Sequence, residues 1–265
     1  MHYLKGLSVA LAILVFAGTA AAWITREPPD YGSVTISKFS RHAGLAPVRF
    51  DHWLHRALYT CRLCHVDVGF AMEENGTRIT ADTNRKGFYC GACHNGTTLY
   101  GEKKIFSACS PSVTPEESIR CSRCHSVGKD VQQDYDYDRF TAKLPKSKPG
   151  NLIDWEEAET RQLIHPVDYL PGVSIRRKTL TAQNDFSITS QSAWMPDIIF
   201  SHKKHIVWNG CEVCHPDIFP SAKKGTVKYT MFEISAGQYC GLCHDRVAFT
   251  LSNCDKCHAA PVNGK

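Results

Sequence analysis

The sequence has no cysteine before Cys61, only four methionines in 265 residues, and a single long apolar run, near its N-terminus. The first absence argues against a lipid-modified cysteine near that run. The second leaves few thioether side chains for any role. Glycine (18) and proline (13) are not in excess, and 43% hydrophobic against 22% charged residues excludes a disordered or collagen-like chain. That balance fits one or two globular domains.

What the chain has in abundance is cysteine and histidine, 13 of each. Twelve cysteines form six Cys-x-x-Cys pairs, each followed at once by histidine: Cys61-Cys64-His65, Cys90-Cys93-His94, Cys121-Cys124-His125, Cys211-Cys214-His215, Cys240-Cys243-His244 and Cys254-Cys257-His258. One Cys-x-x-Cys alone reads equally as half a zinc ribbon or a redox pair. The histidine after every pair decides for c-type haem attachment. Two thiols one helical turn apart add across the two vinyl groups of one porphyrin, and the adjacent imidazole reaches the iron. Six covalently bound haems are therefore expected.

The N-terminus agrees with export. Lys5 precedes an apolar run from Gly6 to Ala22 that ends in Ala20-Ala21-Ala22, a small-residue cleavage site, so residues 1–22 read as a signal peptide and the mature protein as periplasmic. The competing reading is an uncleaved anchor, because the uncharged stretch over residues 6–25 is just long enough to span a bilayer. The formal charge of +5 needs correction for the haems. Their propionates and ferric cores together bring the mature chain to about −2, and full reduction to about −8. A nucleic-acid partner is thereby excluded, and brief docking with redox proteins is expected.

The chain repeats itself at a constant offset of 150. Phe50, His52, His55, Cys61, Cys64, His65, Gly87, Tyr89, Cys90, Gly91, Cys93 and His94 each meet the same residue type 150 positions later, from Phe200 to His244. The third motif breaks the offset, since Cys121 answers to Cys254, so the first module carries extra residues before it. Outside the motifs and His2, six histidines remain for six irons: His42, His52, His55, His165, His202 and His205. The pairs His52/His55 and His202/His205 are three apart, so on a helix both imidazoles share a face and can serve neighbouring haems. His42 and His165 stand outside the repeat and are weighed against ordinary loop histidines. Met231, nine residues before Cys240, is a rival ligand in the second module; Met72 reads as packing.

Phe-x-His-x-x-His, six residues to Cys-x-x-Cys-His, then Tyr-Cys-Gly-x-Cys-His and a further Cys-x-x-Cys-His resembles the class III triheme cytochromes. The likeness covers about residues 42–128 and 198–262 and is greatest to multi-domain forms with modules strung into electron-conducting arrays. The resemblance implies that His52 pairs with His65, His55 with His94, His202 with His215 and His205 with His244. The haems on His125 and His258 have no motif-matched partner, which leaves His42, His165 and Met231 as candidates. It also implies closely spaced haems and a mainly helical and irregular fold with short helices, little sheet and a haem-dominated core.

The organisation read from these features is a signal peptide or anchor (1–22), an N-terminal extension (23–41), a first triheme module (42–128), an interdomain segment (129–197) and a second triheme module (198–265). The interdomain segment opens with Asp134-Tyr135-Asp136-Tyr137-Asp138, carries Pro145, Pro149 and Pro171, and has one expected helix from Asp154 to Leu163. Its length predicts packing along the modules. Cys109 has no partner once haem attachment is counted and receives no role. An iron with two strong axial ligands has no open position for substrate, so electron transfer is the expected function, with no catalytic residues. Donors and acceptors would be other cytochromes, a quinol oxidase or a terminal reductase. Two alternatives stand beside it: a multihaem reductase with one open haem, although no Cys-x-x-Cys-Lys variant is present, and a membrane-anchored, quinol-linked subunit.

Overall fold

A computed structural model describes residues 27–110, 120–129, 136–148, 150–178, 184–220 and 227–260. The expected signal peptide, together with Asp134, Tyr135 and Pro149, lies outside them. The described chain forms short helices and three two-stranded antiparallel sheets, as expected.

In the first module, strand β1 (Ser33–Ile36) leads through helix α1 (Lys38–His42) into β2 (Val48–Asp51), with Val34 opposite Phe50. Strand β1 is rich in β-branched residues, and β2 carries Val48 and Phe50, types that suit a pleated surface. Helix α2 (His52–Arg56) follows directly, then a π-helical turn at Leu63–Asp67, helix α3 (Ala81–Arg85), a 3-10 turn at Tyr89–Ala92, and the small hairpin of β3 (Leu99–Tyr100) and β4 (Lys103–Lys104). The intervening segment supplies α4 (Tyr137–Thr141) and α5 (Trp155–Thr160). The second module repeats the first: β5 (Phe186–Ile188) pairs with β6 (Ile198–Phe200), followed by α6 (His202–Asn209), α7 (Met231–Ser235), a 3-10 turn at Tyr239–Leu242 and α8 (Cys254–Cys257). Each hairpin takes its first strand from chain that lies upstream of the motif-defined module, at Ser33 and at Phe186.

Helix α5 is shorter than Asp154–Leu163. Asp154 caps it by accepting from the Glu157 amide at 3.0 Å, as the sequence implies. It ends early because Gln162 turns left-handed at φ +57°, letting the Leu163 amide donate to the Ala158 carbonyl and the Gln162 amide to Glu159. This is a Schellman stop.

The apolar core is one small cluster of eight buried residues: Trp53, Ala57, Tyr137, Leu144, Ile153, Trp155, Ala158 and Ile164. Trp53 and Ala57 are four apart and share one face of α2, while His52 and His55 lie on the other. The rest of the cluster comes from the interdomain segment, which therefore packs on the first module as its length predicts. Among the described residues only Tyr31, Leu63 and Val213 are further buried apolar side chains, so the packed core is small.

The segment also reaches the second module. Arg177 pairs with Asp67 at 2.7 Å and with Glu212 at 3.2 Å, so it bridges the first motif of each module. Lys256 lies 3.7 Å from Asp154, and Asn253 donates to the Lys148 carbonyl. Tyr31, before β1, donates directly to the Ala248 carbonyl. Replacing Trp155, which is 7% exposed and donates to Asn151 at 3.1 Å, removes the centre of this clamp. Trp155→Ala is expected to lower the unfolding free energy of the haem-loaded protein by about 3–5 kcal/mol, read by denaturant titration.

Candidate haem-binding sites

The two histidine pairs sit at the starts of α2 and α6, immediately after a strand that ends the hairpin. Phe50 and Phe200 explain the aromatic residue of the motif. The Phe50 ring lies 4.8 Å from the His52 ring and 4.4 Å from His55; Phe200 lies 5.0 Å from His202 and 4.5 Å from His205. Each phenyl ring packs against both imidazoles and limits their rotation.

Three of these histidines face a motif histidine. The ring centroids of His52 and His65 are 6.5 Å apart and nearly parallel at 6°; those of His55 and His94 are 6.4 Å apart, and those of His205 and His244 6.2 Å. Two imidazoles on one metal, with metal–nitrogen distances of about 2.0–2.1 Å and about 1.1 Å from ring centre to nitrogen, stand about 6.3 Å apart. The side chains thus leave the gap that a six-coordinate iron requires. His202 and His215 make no such ring contact with each other.

Hydrogen bonding fixes which nitrogen is available. Nδ1 of His52 meets the Gly32 carbonyl at 2.7 Å, His65 that of Phe70 at 2.9 Å, His125 that of Ala46 at 2.7 Å, His205 that of Ser201 at 2.8 Å and His258 that of Pro196 at 2.6 Å. His42, His55, His202, His215 and His244 do the same with Lys38, Asp51, Asn184, Phe219 and Phe249. A carbonyl carries no proton, so Nδ1 is the donor in each case. Nε2 of the neutral ring is left bare, the form a metal takes. Burial holds the His52, His94 and His244 imidazoles down at about 4, so they are neutral at physiological pH.

Two histidines depart from this pattern. His94 Nδ1 is buried without a well-formed hydrogen bond and faces Phe106 only loosely. His165 is solvent-exposed and, among the described residues, makes neither a hydrogen bond nor a ring contact; its loop docks beside Tyr59 and Thr60 of the first module through the Val167 carbonyl and amide. His42 ends α1 inside the β1–β2 connection, four residues before the carbonyl that His125 engages. The matching connection in the second module contains no helix and no histidine. Met231 lies at the start of α7, 54% exposed.

The second motif of each module has a backbone frame that repeats in detail. Thr80 and Thr230 close capping boxes on α3 and α7. These helices were not foreseen, although Thr-x-x-Thr and Thr-x-x-Glu carried the signal. Gly87 and Gly237 hold φ of +84° and +87°, and Tyr89 and Tyr239 hold +50° and +51°. A Cβ on Gly91 would fall 1.8 Å from the Asn84 carbonyl oxygen, and one on Gly241 1.8 Å from that of Ile234. Only glycine fits between the two cysteines there.

The motif cysteines carry no disulfide, and among the described residues no three His, Cys, Asp or Glu side chains converge to hold a bare ion, which a structural zinc site needs. Burial raises the thiols of Cys64, Cys90 and Cys243 to about 12, which suits sulfurs that become uncharged thioethers. Cysteines of different motifs lie close together: Cys124 is near Cys90, Cys93 near Cys64, Cys61 near both Cys214 and Cys243, and Cys257 near Cys240. The third motif thus adjoins the second and the second the first, and the first adjoins two motifs of the second module. Cys109 lies near Cys90 and Cys124 at φ +56°, accepting from the Asn84 amide at 3.5 Å.

Repeated Cys-x-x-Cys-His motifs on short helices, with neutral imidazoles set opposite one another, define a multihaem c-type cytochrome, which carries its haem covalently. Residues 48–126 and 198–259 match the sequence profile of cytochrome c7 and related cytochrome c, and the chain belongs to that family. No curated protein matches it at a significant level. Among solved structures, the C-terminal hexahaem fragment of GSU1996 is 24% identical, covers 86% of this chain and 96% of that one, and superposes with a TM-score of 0.27. The N-terminal hexahaem fragment of GSU1996 is 23% identical over 86% and 98%, with a TM-score of 0.26. The dodecahaem cytochrome c GSU1996 is 20% identical over 85% and 73%, also at 0.26. As a c-type cytochrome the protein is extracytoplasmic, and among the described residues no helix is long and apolar enough to cross a membrane. Gly91→Ala and Gly241→Ala are each expected to lose the haem at their own motif, seen as an intact mass one haem short while the other motifs stay loaded.

Proposed function

We propose that the protein is a periplasmic hexahaem electron carrier in which both triheme modules form one conducting row. The observation that carries this is the set of facing imidazole pairs at 6.2–6.5 Å, each able to close both axial positions of an iron. His52 and His65, His55 and His94, and His205 and His244 serve three haems, and the repeat extends the same role to His202 and His215. His42 is the candidate for the haem on His125, since it lies four residues before the Ala46 carbonyl that His125 engages. For the haem on His258, His165 and Met231 are the two candidates, and the exposure of Met231 at the head of α7 places no burial cost on its approach.

The neighbour order of the cysteines supports a row running from the third motif through the second and first, across to Cys211–Cys214 and Cys240–Cys243, and out to Cys254–Cys257. The partners of such a carrier are other redox proteins: a cytochrome or quinol oxidase as donor, and a terminal reductase or outer cytochrome as acceptor. Closed coordination excludes substrate from the irons and leaves the haem edges to exchange electrons.

Two measurements test this. Intact mass of the mature protein should show six haems and cleavage before Trp23. The spectrum of the fully reduced protein should not change with carbon monoxide, because no ferrous iron has a free position. A Soret shift equivalent to one haem would instead expose an open iron and favour a reductase. The long-wavelength charge-transfer band of methionine-ligated ferric haem decides between Met231 and His165.

A further inference from the structure

Arg56 occupies the junction between the two modules and forms no ion pair among the described residues. It follows His55 on α2, yet its guanidinium lies between two indoles, 4.8 Å from the Trp155 ring of the interdomain segment and 5.1 Å from the Trp208 ring at the end of α6. Nη1 donates to the Val247 carbonyl, four residues after Cys243. Nε is sealed from solvent and has no hydrogen-bond partner. No carboxylate comes within ion-pair distance among the described residues; Glu159 is near enough to interact but is engaged by Trp208. Arg62, the other guanidinium with a sealed nitrogen, is by contrast neutralised by Asp168.

A guanidinium stays charged in any protein environment, and a sealed cation without an anion is costly. Cation–π contact with two indoles offsets only part of that cost. The sulfurs of Cys61 and Cys243 both lie in the field of Arg56, so the side chain stands beside the first haem site of one module and the second of the other. Protein atoms close its Nε to any water-sized group, so the guanidinium acts on its surroundings through its fixed charge.

We propose that Arg56 sets the electrostatics of the inter-module junction: its fixed positive charge raises the reduction potential of the haem on Cys61–Cys64 or Cys240–Cys243. A fixed positive charge disfavours the ferric state over the ferrous one, so reduction becomes easier at that haem. Electrons passing between modules then meet a relatively high-potential centre at the crossing. Arg56 falls outside the repeat, since residue 206 is isoleucine, so the device belongs to the junction and not to the triheme module.

This rests on the haem-carrier reading, and the test separates the two. Intact mass first establishes that each variant carries the wild-type number of haems; a chain without them sinks the carrier reading itself. Potentiometric titration of wild-type protein, Arg56→Met, Arg56→Lys and Glu159→Gln then follows. In Arg56→Met one or two midpoints should fall, by about 59 mV for a tenfold change in the oxidised-to-reduced ratio at fixed potential, while the others hold. Arg56→Lys should keep the wild-type values. Should Arg56→Met fail to assemble, Glu159→Gln provides the second test, because loss of a nearby negative charge should raise the same one or two midpoints. Unchanged midpoints in loaded Arg56→Met, a uniform shift of all haems, an Arg56→Lys variant that behaves like Arg56→Met, or an unmoved Glu159→Gln would each overturn the proposal.

Discussion

The structure depends on holding pairs of imidazole rings with their centres 6.2–6.5 Å apart. A free histidine has two χ angles and two tautomers, and a metal ligand needs both settled. The fold settles the tautomer with a carbonyl at Nδ1, and the rotamer with Phe50 or Phe200 against the ring. Most of the irregular backbone serves that purpose. Gly32 and Asn184 stand outside the hairpins yet each presents its carbonyl to the first histidine of a pair. Ala46 and Pro196 do the same for the third motif of each module, from the far side of the strand connection. The two-stranded sheets, which would be marginal alone, are therefore brackets for carbonyl groups more than layers of a core.

The economy of apolar burial follows from this. Among the described residues the packed cluster is confined to one side of α2, where Trp53 and Ala57 meet the interdomain segment. The opposite side of the same helix carries His52 and His55. One short helix thus divides its faces between protein core and cofactor, and the interdomain segment is the partner that makes the division stable. Among the described residues the second module has no equivalent cluster of its own; its Trp208 packs against this one, and ion pairs and single hydrogen bonds add to that contact.

How much of this was legible in the sequence differs by type of feature. The motifs, the constant offset of 150 and the paired histidines were plain because ligand chemistry demands fixed residue types at fixed spacing. The upstream strands were hidden: Gly32 answers to Asn184 and Val34 to Phe186 at an offset of 152, and strand pairing selects backbone groups while tolerating a change of side chain. The capping boxes at Thr80 and Thr230 were present in the letters but too short to notice without the helices they start. Helix α5 was correctly started and wrongly extended, since Gln162 gives no sign in composition that it will adopt a left-handed turn. His165 shows the limit of counting. Six spare histidines for six irons is suggestive arithmetic, yet this one lies exposed on a loop beside the first module.

The junction shows why a duplicated module is not simply two copies. Within a module, contacts repeat because the same residues recur; between modules, new contacts arise wherever the copies touch. Tyr31 and Arg56 have no counterparts 150 residues on, where Thr181 and Ile206 stand, and Arg177 belongs to the segment between the copies; all three bridge parts of the chain that the repeat keeps separate. Their chemistry is polar and directional, which fixes the relative placement of the modules at small cost in apolar area. The electron row proposed above needs that fixity, because transfer between neighbouring cofactors is set by distance. A flexible linker would leave the crossing from one module to the next as a variable gap, whereas a segment pinned at Trp155, Asp168 and Arg177 holds it at one value.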